Sequence, residues 1–155
     1  MTLTEDVLSM AAFGSKVYVG SDDNRVNIID VSDPANPVVL NYLYTQGSPS
    51  DMAIEDNYMY LAQYTNLYNG GLYIYDISDP VNPQFVSSNT TYTTHDIIVS
   101  GDIAYTLNNS CQLINYDVSD PTDPTFISQC LTSQFITDFE LEGDMIFGAY
   151  DDFGL

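Results

Sequence analysis

Three stretches of this 155-residue chain carry one pattern at a near-constant interval, and that repetition restricts the fold more than any other feature. They are Val26-Asn-Ile-Ile-Asp-Val-Ser-Asp-Pro-Ala-Asn-Pro37, Leu72-Tyr-Ile-Tyr-Asp-Ile-Ser-Asp-Pro-Val-Asn-Pro83 and Leu113-Ile-Asn-Tyr-Asp-Val-Ser-Asp-Pro-Thr-Asp-Pro124. A second anchor is an apolar–aromatic pair: Val17-Tyr18, Met59-Tyr60, Ala104-Tyr105 and Ile146-Phe147. Its aromatic members lie 42, 45 and 42 residues apart. A third anchor precedes it: Met10-Ala-Ala-Phe13, Asp51-Met-Ala-Ile54, Asp96-Ile-Ile-Val99 and Asp138-Phe-Glu-Leu141. Three anchors in one order, recurring three or four times, mark tandem copies of a single supersecondary unit.

Each unit divides into four strand-like runs. In the second copy these are Asp51–Glu55 (a), Tyr58–Gln63 (b), Gly71–Ile77 (c) and Gln84–Ser88 (d), with turn residues Asp56-Asn57 between the first two. Composition agrees. Asp outnumbers Glu 18 to 4, and 13 Tyr stand beside no Trp. Asp prefers turns, Tyr prefers strands, and no stretch holds a helical period. Four antiparallel strands in about 42 residues is the interval of a β-propeller blade. A sandwich has no such repeat, and a leucine-rich solenoid has a shorter one. The expected fold is all-β: blades of four antiparallel strands, about three and a half of them, in one unit spanning 1–155. The repeats are expected at about 7–45, 50–90, 94–132 and 136–155, the last incomplete.

The segment Gly71-Leu-Tyr-Ile-Tyr-Asp-Ile-Ser-Asp-Pro-Val-Asn-Pro83 resembles the LVIVD repeat, and Val26–Pro37 and Leu113–Pro124 match it with changed apolar residues. The resemblance implies a propeller-type fold and a secreted or cell-surface setting in bacteria or archaea. It implies no particular activity. The fourth copy stops at Phe153-Gly-Leu155, where its strand c is due, whereas closed propellers have about four to eight blades. Two readings follow: a segment of a longer propeller, or open strand edges that pair with other copies of the chain. The opening residues Met-Thr-Leu-Thr-Glu-Asp have neither a basic nor an apolar leader region, so no signal peptide is expected within this sequence.

Charge excludes some partners. Two basic residues, Lys16 and Arg25, face 22 acids, for a net charge of −20. Nucleic acid and anionic membrane surfaces both require basic side chains, so neither is an expected partner. No apolar run approaches the roughly 18 residues of a membrane span. Hydrophobic residues make up 45% of the chain, which is enough for a packed core.

The Asp-Val/Ile-Ser-Asp-Pro motif reads as turn chemistry: Asp30, Asp76 and Asp117 and the Ser-Asp-Pro that follows each bond backbone amides and end strand c. In a propeller the a–b and c–d turns share one face, and the d–a and b–c loops share the other. Length varies only in the second set: Tyr18 to Asp30 and Tyr105 to Asp117 are each 12 residues, and Tyr60 to Asp76 is 16. Function concentrates in such loops. The candidate binding face is therefore Tyr64, Tyr68, Tyr92, His95, Asn108 and Asn109, flanked by Asp22, Asp23, Asn24, Asp151 and Asp152. Exposed Tyr and Asn suit recognition of a protein or glycan.

Asp51, Asp96 and Asp138 stand at equivalent points of the innermost strands. Two uses are open for them. They could form a ring holding Ca²⁺ or another hard cation, or they could accept backbone hydrogen bonds that tie neighbouring blades together. His95 adjoins Asp96 and is the lone histidine. With no nucleophile elbow, phosphate-binding glycine loop or zinc spacing, enzymatic function is the weaker class. The expected role is an extracytoplasmic binding, surface or self-assembly module. The alternative is a metal-assisted hydrolase or lyase at a channel of carboxylates. Asn89-Thr-Thr and Asn108-Asn-Ser are glycosylation sequons. Finally, Cys111 and Cys130 are equidistant from Asp120-Pro121, which predicts that they face one another across the c–d hairpin and form a disulfide.

Overall fold

The computed structural model describes residues 5–65, 70–108, 110, 112–132 and 136–150. Among these residues all regular structure is strand. Blade 1 is β1 (Val7–Phe13), β2 (Lys16–Ser21), β3 (Arg25–Asp30) and β4 (Val38–Tyr44). Blade 2 is β5 (Ser48–Glu55), β6 (Tyr58–Tyr64), β7 (Gly71–Asp76) and β8 (Gln84–Asn89). Blade 3 is β9 (Asp96–Ser100), β10 (Ile103–Asn108), β11 (Gln112–Asp117) and β12 (Thr125–Leu131). The fourth sheet has two strands, β13 (Ile136–Glu142) and β14 (Met145–Tyr150). Each of the first three is an antiparallel four-stranded meander, and among the described residues the inner strands meet in series, β1 with β5, β5 with β9 and β9 with β13. No helix among the described residues is long and apolar enough to cross a membrane.

Local chemistry repeats with the blades. Every a–b hairpin closes through two residues, and the first of them has a left-handed backbone: Gly14 (φ 58°), Asp56 (φ 52°), Gly101 (φ 58°) and Gly143 (φ 60°). Glycine holds that conformation without Cβ strain, and Asp is among the few other residues that tolerate it. The c–d turns repeat as well. The first aspartate accepts the amide two residues on: Ser32 to Asp30 at 2.8 Å, Ser78 to Asp76 at 2.7 Å, Ser119 to Asp117 at 2.9 Å. The second aspartate does the same for Ala35, Val81 and Thr122. These side-chain-closed turns are the chemistry expected of the motif.

Bulges recur too. One extra residue interrupts the inner pairing at Leu8, Ser50 and Thr137, and the outer pairing at Leu40, Val86 and Ile127. Bulges concentrate twist, which each blade needs to fan against the next. The register also corrects the alignment of the third anchor. Ser9, paired with Gly20, occupies the place that Asp51, paired with Ala62, holds in blade 2, so Met10 matches Met52.

Blades are joined by apolar faces. Between blades 1 and 2, Tyr18, Val26 and Ile28 pack with Met52, Met59, Leu61, Tyr73, Tyr75 and Ile77. Between blades 2 and 3, Tyr60, Ala62, Leu72 and Ile74 pack with Ile97, Ala104, Ile114, Tyr116 and Val118. Removing such side chains from water stabilises by about 1.5–3 kcal/mol each. The proline turns are the polar counterpart of this packing. The preceding blade donates to their carbonyls: Tyr18 to Pro80 (2.9 Å), Asn41 to Val81 (2.9 Å), Ser87 to Pro121 (2.6 Å) and Asn89 to Pro124 (2.9 Å). The repeat motif therefore docks its blade as well as turning the chain.

The expected facing of Cys111 and Cys130 across the hairpin is corrected, and a disulfide between them is not shown. Cys130 is a free, exposed thiol, and its strand partner is Leu113. Cys111 lies outside the described residues. The error is one of register. The loop between paired Asp117 and Thr125 has an odd length, and Ile127 bulges out of β12, so the pairing moves two residues from the symmetric expectation.

Candidate functional site

Of the three inner-strand aspartates, two come together. The Asp51 carboxylate accepts the Ile97 amide of the next blade at 2.9 Å and is hydrogen-bonded to the Asp96 side chain. Burial, then the bond and charge of Asp51, then the charge of Asp138 push the Asp96 carboxyl up to about 8. At neutral pH Asp96 therefore carries the proton that joins the pair. Asp138 is exposed and accepts the amide of its own neighbour, Phe139, at 2.8 Å. Among the described residues, no three His, Cys, Asp or Glu side chains are placed to hold a metal ion. The Asp51 carboxylate ties blade 2 to blade 3. Ser9 does the same work one blade earlier, donating to the Pro49 carbonyl at 2.7 Å. His95 is anchored by its amide to Leu107 (2.9 Å) and by a ring hydrogen bond to the Asn108 backbone, and burial lowers its pKa.

The loop face is less uniform than its sequence suggests. Asn108 is buried at a hairpin end: its carbonyl oxygen accepts from Ser110 and Gln112, and its amide donates to the Gln112 side chain at 2.7 Å. Tyr92 is half-buried. It packs against the core between blades 2 and 3 and lies on Phe126 with ring centroids 5.7 Å apart. Asn89, of the first sequon, is half-buried and donates to Pro124. Asp23 pairs with Arg25 and accepts from Ser21, Asn24 takes a left-handed backbone at φ 61°, and Asp22 is exposed. Tyr68, Asn109, Asp151 and Asp152 lie outside the described residues. Tyr64 is exposed and joins Asn24, Gln46, Gly47, Ser48 and Thr65 around a 130 Å³ recess. Both basic residues are engaged by intrachain acids: Lys16 by Asp30 at 3.4 Å, Arg25 by Asp23 and Glu5.

A larger groove of 530 Å³ opens between blades 1 and 2 on their outer side. It is lined by Leu43, Tyr44 and Gln46 from one side and Tyr73, Tyr75, Phe85 and Ser88 from the other. β4 and the link after it supply the first wall, and β7 and β8 supply the second. None of these seven side chains is charged, although the chain as a whole carries −20. Tyr44 and Phe85 are 68% and 59% exposed, and Tyr75 meets Phe85 edge-on at 5.7 Å. A mostly aromatic concavity with a few polar groups is the usual form of a binding site. Sequence reasoning, which searched loops, missed it. The signal lay in comparing the links between repeats, Thr45-Gln46-Gly47 against Thr91-Tyr92-Thr93.

Comparison with known proteins bears on the fold. In its fold the chain is similar to the computationally designed Ika4 protein, with a TM-score of 0.74 at 11% identity over 99% of this chain and 90% of that one. It is also similar to the computationally designed Ika8 protein, with a TM-score of 0.68 at 10% identity over 92% of this chain and 42% of that one. Such low identities speak for architecture alone. No curated protein matches the chain. The LVIVD repeat matches residues 6–45, 46–91 and 93–132, the three complete blades, and the chain belongs to the LVIVD-repeat family of β-propeller repeat proteins.

Proposed function

We propose that this propeller segment is an extracytoplasmic recognition module that binds a partner protein in the groove between blades 1 and 2. The observation carrying the reading is that groove: 530 Å³, uncharged, and walled by Tyr44, Tyr73, Tyr75 and Phe85. Aromatic side chains give rigid contact area at low entropic cost, and they dominate binding energy where they line a pocket. An extracytoplasmic setting is supported by the secreted and surface character of the family the repeats resemble. The rival, metal-assisted hydrolysis, would draw on Asp51 and Asp96, which lack a third ligand among the described residues.

The test immobilises the chain and exposes it to the fractionated surface and secreted proteins of its source. The same is done with a Tyr44→Ala/Phe85→Ala variant that keeps the far-ultraviolet spectrum of the wild type. A partner retained by the wild type and lost by the variant supports the reading. Equal retention by both overturns it. So does hydrolytic activity that responds to added divalent cation and disappears in Asp51→Asn.

A further inference from the structure

We infer that the groove between blades 1 and 2 receives an unmodified tyrosine side chain from the partner protein. This rests on the recognition reading above and names the group recognised. The argument comes from the sister position one blade later. Strand register places Phe85, paired with Tyr75, and Phe126, paired with Tyr116, at equivalent points of blades 2 and 3. Beside Phe126 the space is taken by the chain's own Tyr92. Its ring lies on Phe126 at 5.7 Å with a tilt of 32° and packs against the core that contains Ile114 and Tyr116. Beside Phe85 the link between blades supplies Gln46 instead, and a 530 Å³ opening stands there. Phe126 is 44% exposed and Phe85 is 59% exposed, so Tyr92 shields its neighbour in part and nothing equivalent shields Phe85.

The repeat therefore states what its outer groove accepts: a phenol ring laid on a phenylalanine and packed against the blade core. Tilted arrangements of this kind are among the favoured aromatic geometries. Gln46 and Ser88 offer an amide and a hydroxyl at the rim for the phenol oxygen or the flanking backbone. No basic side chain lines the groove, and Arg25, the strand partner of Tyr44, is already engaged by Asp23 and Glu5, so a phosphorylated tyrosine would bring two negative charges to a site whose neighbouring cation is neutralised, in a chain already at −20.

The experiment is a titration of isotope-labelled chain with the peptide acetyl-Gly-Tyr-Gly-amide, followed by backbone amide shifts. The phosphotyrosine form of the peptide and chitotriose are titrated in parallel. The expected result is saturable shifts in β7, β8 and Thr45–Gly47, with a dissociation constant on the order of millimolar, and none from the other two probes. Phe85→Ala weakens binding about fivefold or more. Gln46→Tyr, which supplies an intrachain ring, does the same while the remaining spectrum stays dispersed. Phe126→Ala leaves the affinity within about twofold. Absence of shifts at about 20 mM peptide, shifts from chitotriose instead, or equal affinity for the phosphorylated peptide overturns the inference. A partner protein that needs Phe85 while the tyrosine peptide gives no shift overturns the tyrosine assignment alone and leaves the recognition reading standing.

Discussion

The interface between blades 1 and 2 and the one between blades 2 and 3 share a backbone plan and differ in what closes them. On the inner side the first is tied by a neutral hydroxyl, Ser9 to Pro49 at 2.7 Å. The second is tied by a carboxylate, Asp51 to Ile97 at 2.9 Å, backed by the protonated Asp96. On the outer side the first leaves a groove of 530 Å³, and in the second Tyr92 lies on Phe126. Strands, bulges and turns carry the repeat geometry. A few side chains outside the repeated motif decide whether a given interface is charged or neutral, open or closed.

The largest effects should come from the apolar faces. Leu61 and Ile74 are fully buried, the first facing blade 1 and the second facing blade 3. Leu61→Ala and Ile74→Ala should each cost about 2–5 kcal/mol in denaturant unfolding. Native-state hydrogen exchange should show where: Leu61→Ala should deprotect blade 1 more than blade 3, and Ile74→Ala the reverse. Uniform loss in both variants would mean that the blades open together and that the two interfaces are not separable.

The next contrast is pH. Asp96 is held at about 8 in the folded chain against an ordinary value of 3.8, so between these values only the folded state keeps the proton. Its stabilisation is complete below about pH 4 and is lost as pH rises through about 8. The turn aspartates act in the opposite sense. Hydrogen bonds from Ser32, Asn36, Ser78, Asn82, Ser119 and Thr122 hold Asp30, Asp33, Asp76, Asp79, Asp117 and Asp120 below the usual carboxylate range. Their contribution is present above that range and disappears as pH falls through the lowered values. His95, lowered by burial, also loses its contribution on acidification. The melting temperature should therefore fall on both sides of a mildly acidic maximum. Asp96→Asn, whose amide donates to Asp51 at every pH, should flatten the alkaline limb and leave the acid limb in place. An unchanged alkaline limb would remove the shared proton as the distinction between the two interfaces.

Smaller effects test the outer side. Tyr92→Ala should destabilise by about 1–2 kcal/mol and open a second groove. Gln46→Tyr should add up to about 1 kcal/mol by closing the first. A Tyr92→Ala variant as stable as the wild type would mean that the ring covers nothing of consequence. Smallest of all is the a–b turn comparison. Gly101→Ala should cost about 1 kcal/mol, because the backbone there is left-handed, and Asp56→Gly should recover up to about 1 kcal/mol at the equivalent turn. Thermal unfolding of the pair measures both.

Much of the fold was legible because its signals are local. The Asp-Ser-Asp-Pro turns, the strand-b aromatics and the two-residue a–b turns depend on residues within a few positions of one another. The four strands of blade 2 fall within three residues of the expected bounds. The inner aspartates were legible as a choice between cation ring and interblade tie, and the Asp51 carboxylate accepts the Ile97 amide of the next blade. The loop face was legible only as a region. Asn108 and Tyr92 lie there in sequence, yet one is buried in a hairpin end and the other is half-buried against a blade interface.

By itself the sequence determined the repeat unit, its four antiparallel strands, the chemistry of its turns and the family, because tandem repetition converts local propensity into architecture. Only the tertiary structure decided the rest. One bulged residue and an odd-length loop moved Cys130 opposite Leu113, since strand register sums small local insertions that no composition reveals. It also drew Asp96 against Asp51 across 45 residues of chain, and left the space beside Phe85 open while laying Tyr92 on Phe126. Each depends on how neighbouring blades stack, and stacking brings together side chains that the sequence places a whole repeat apart.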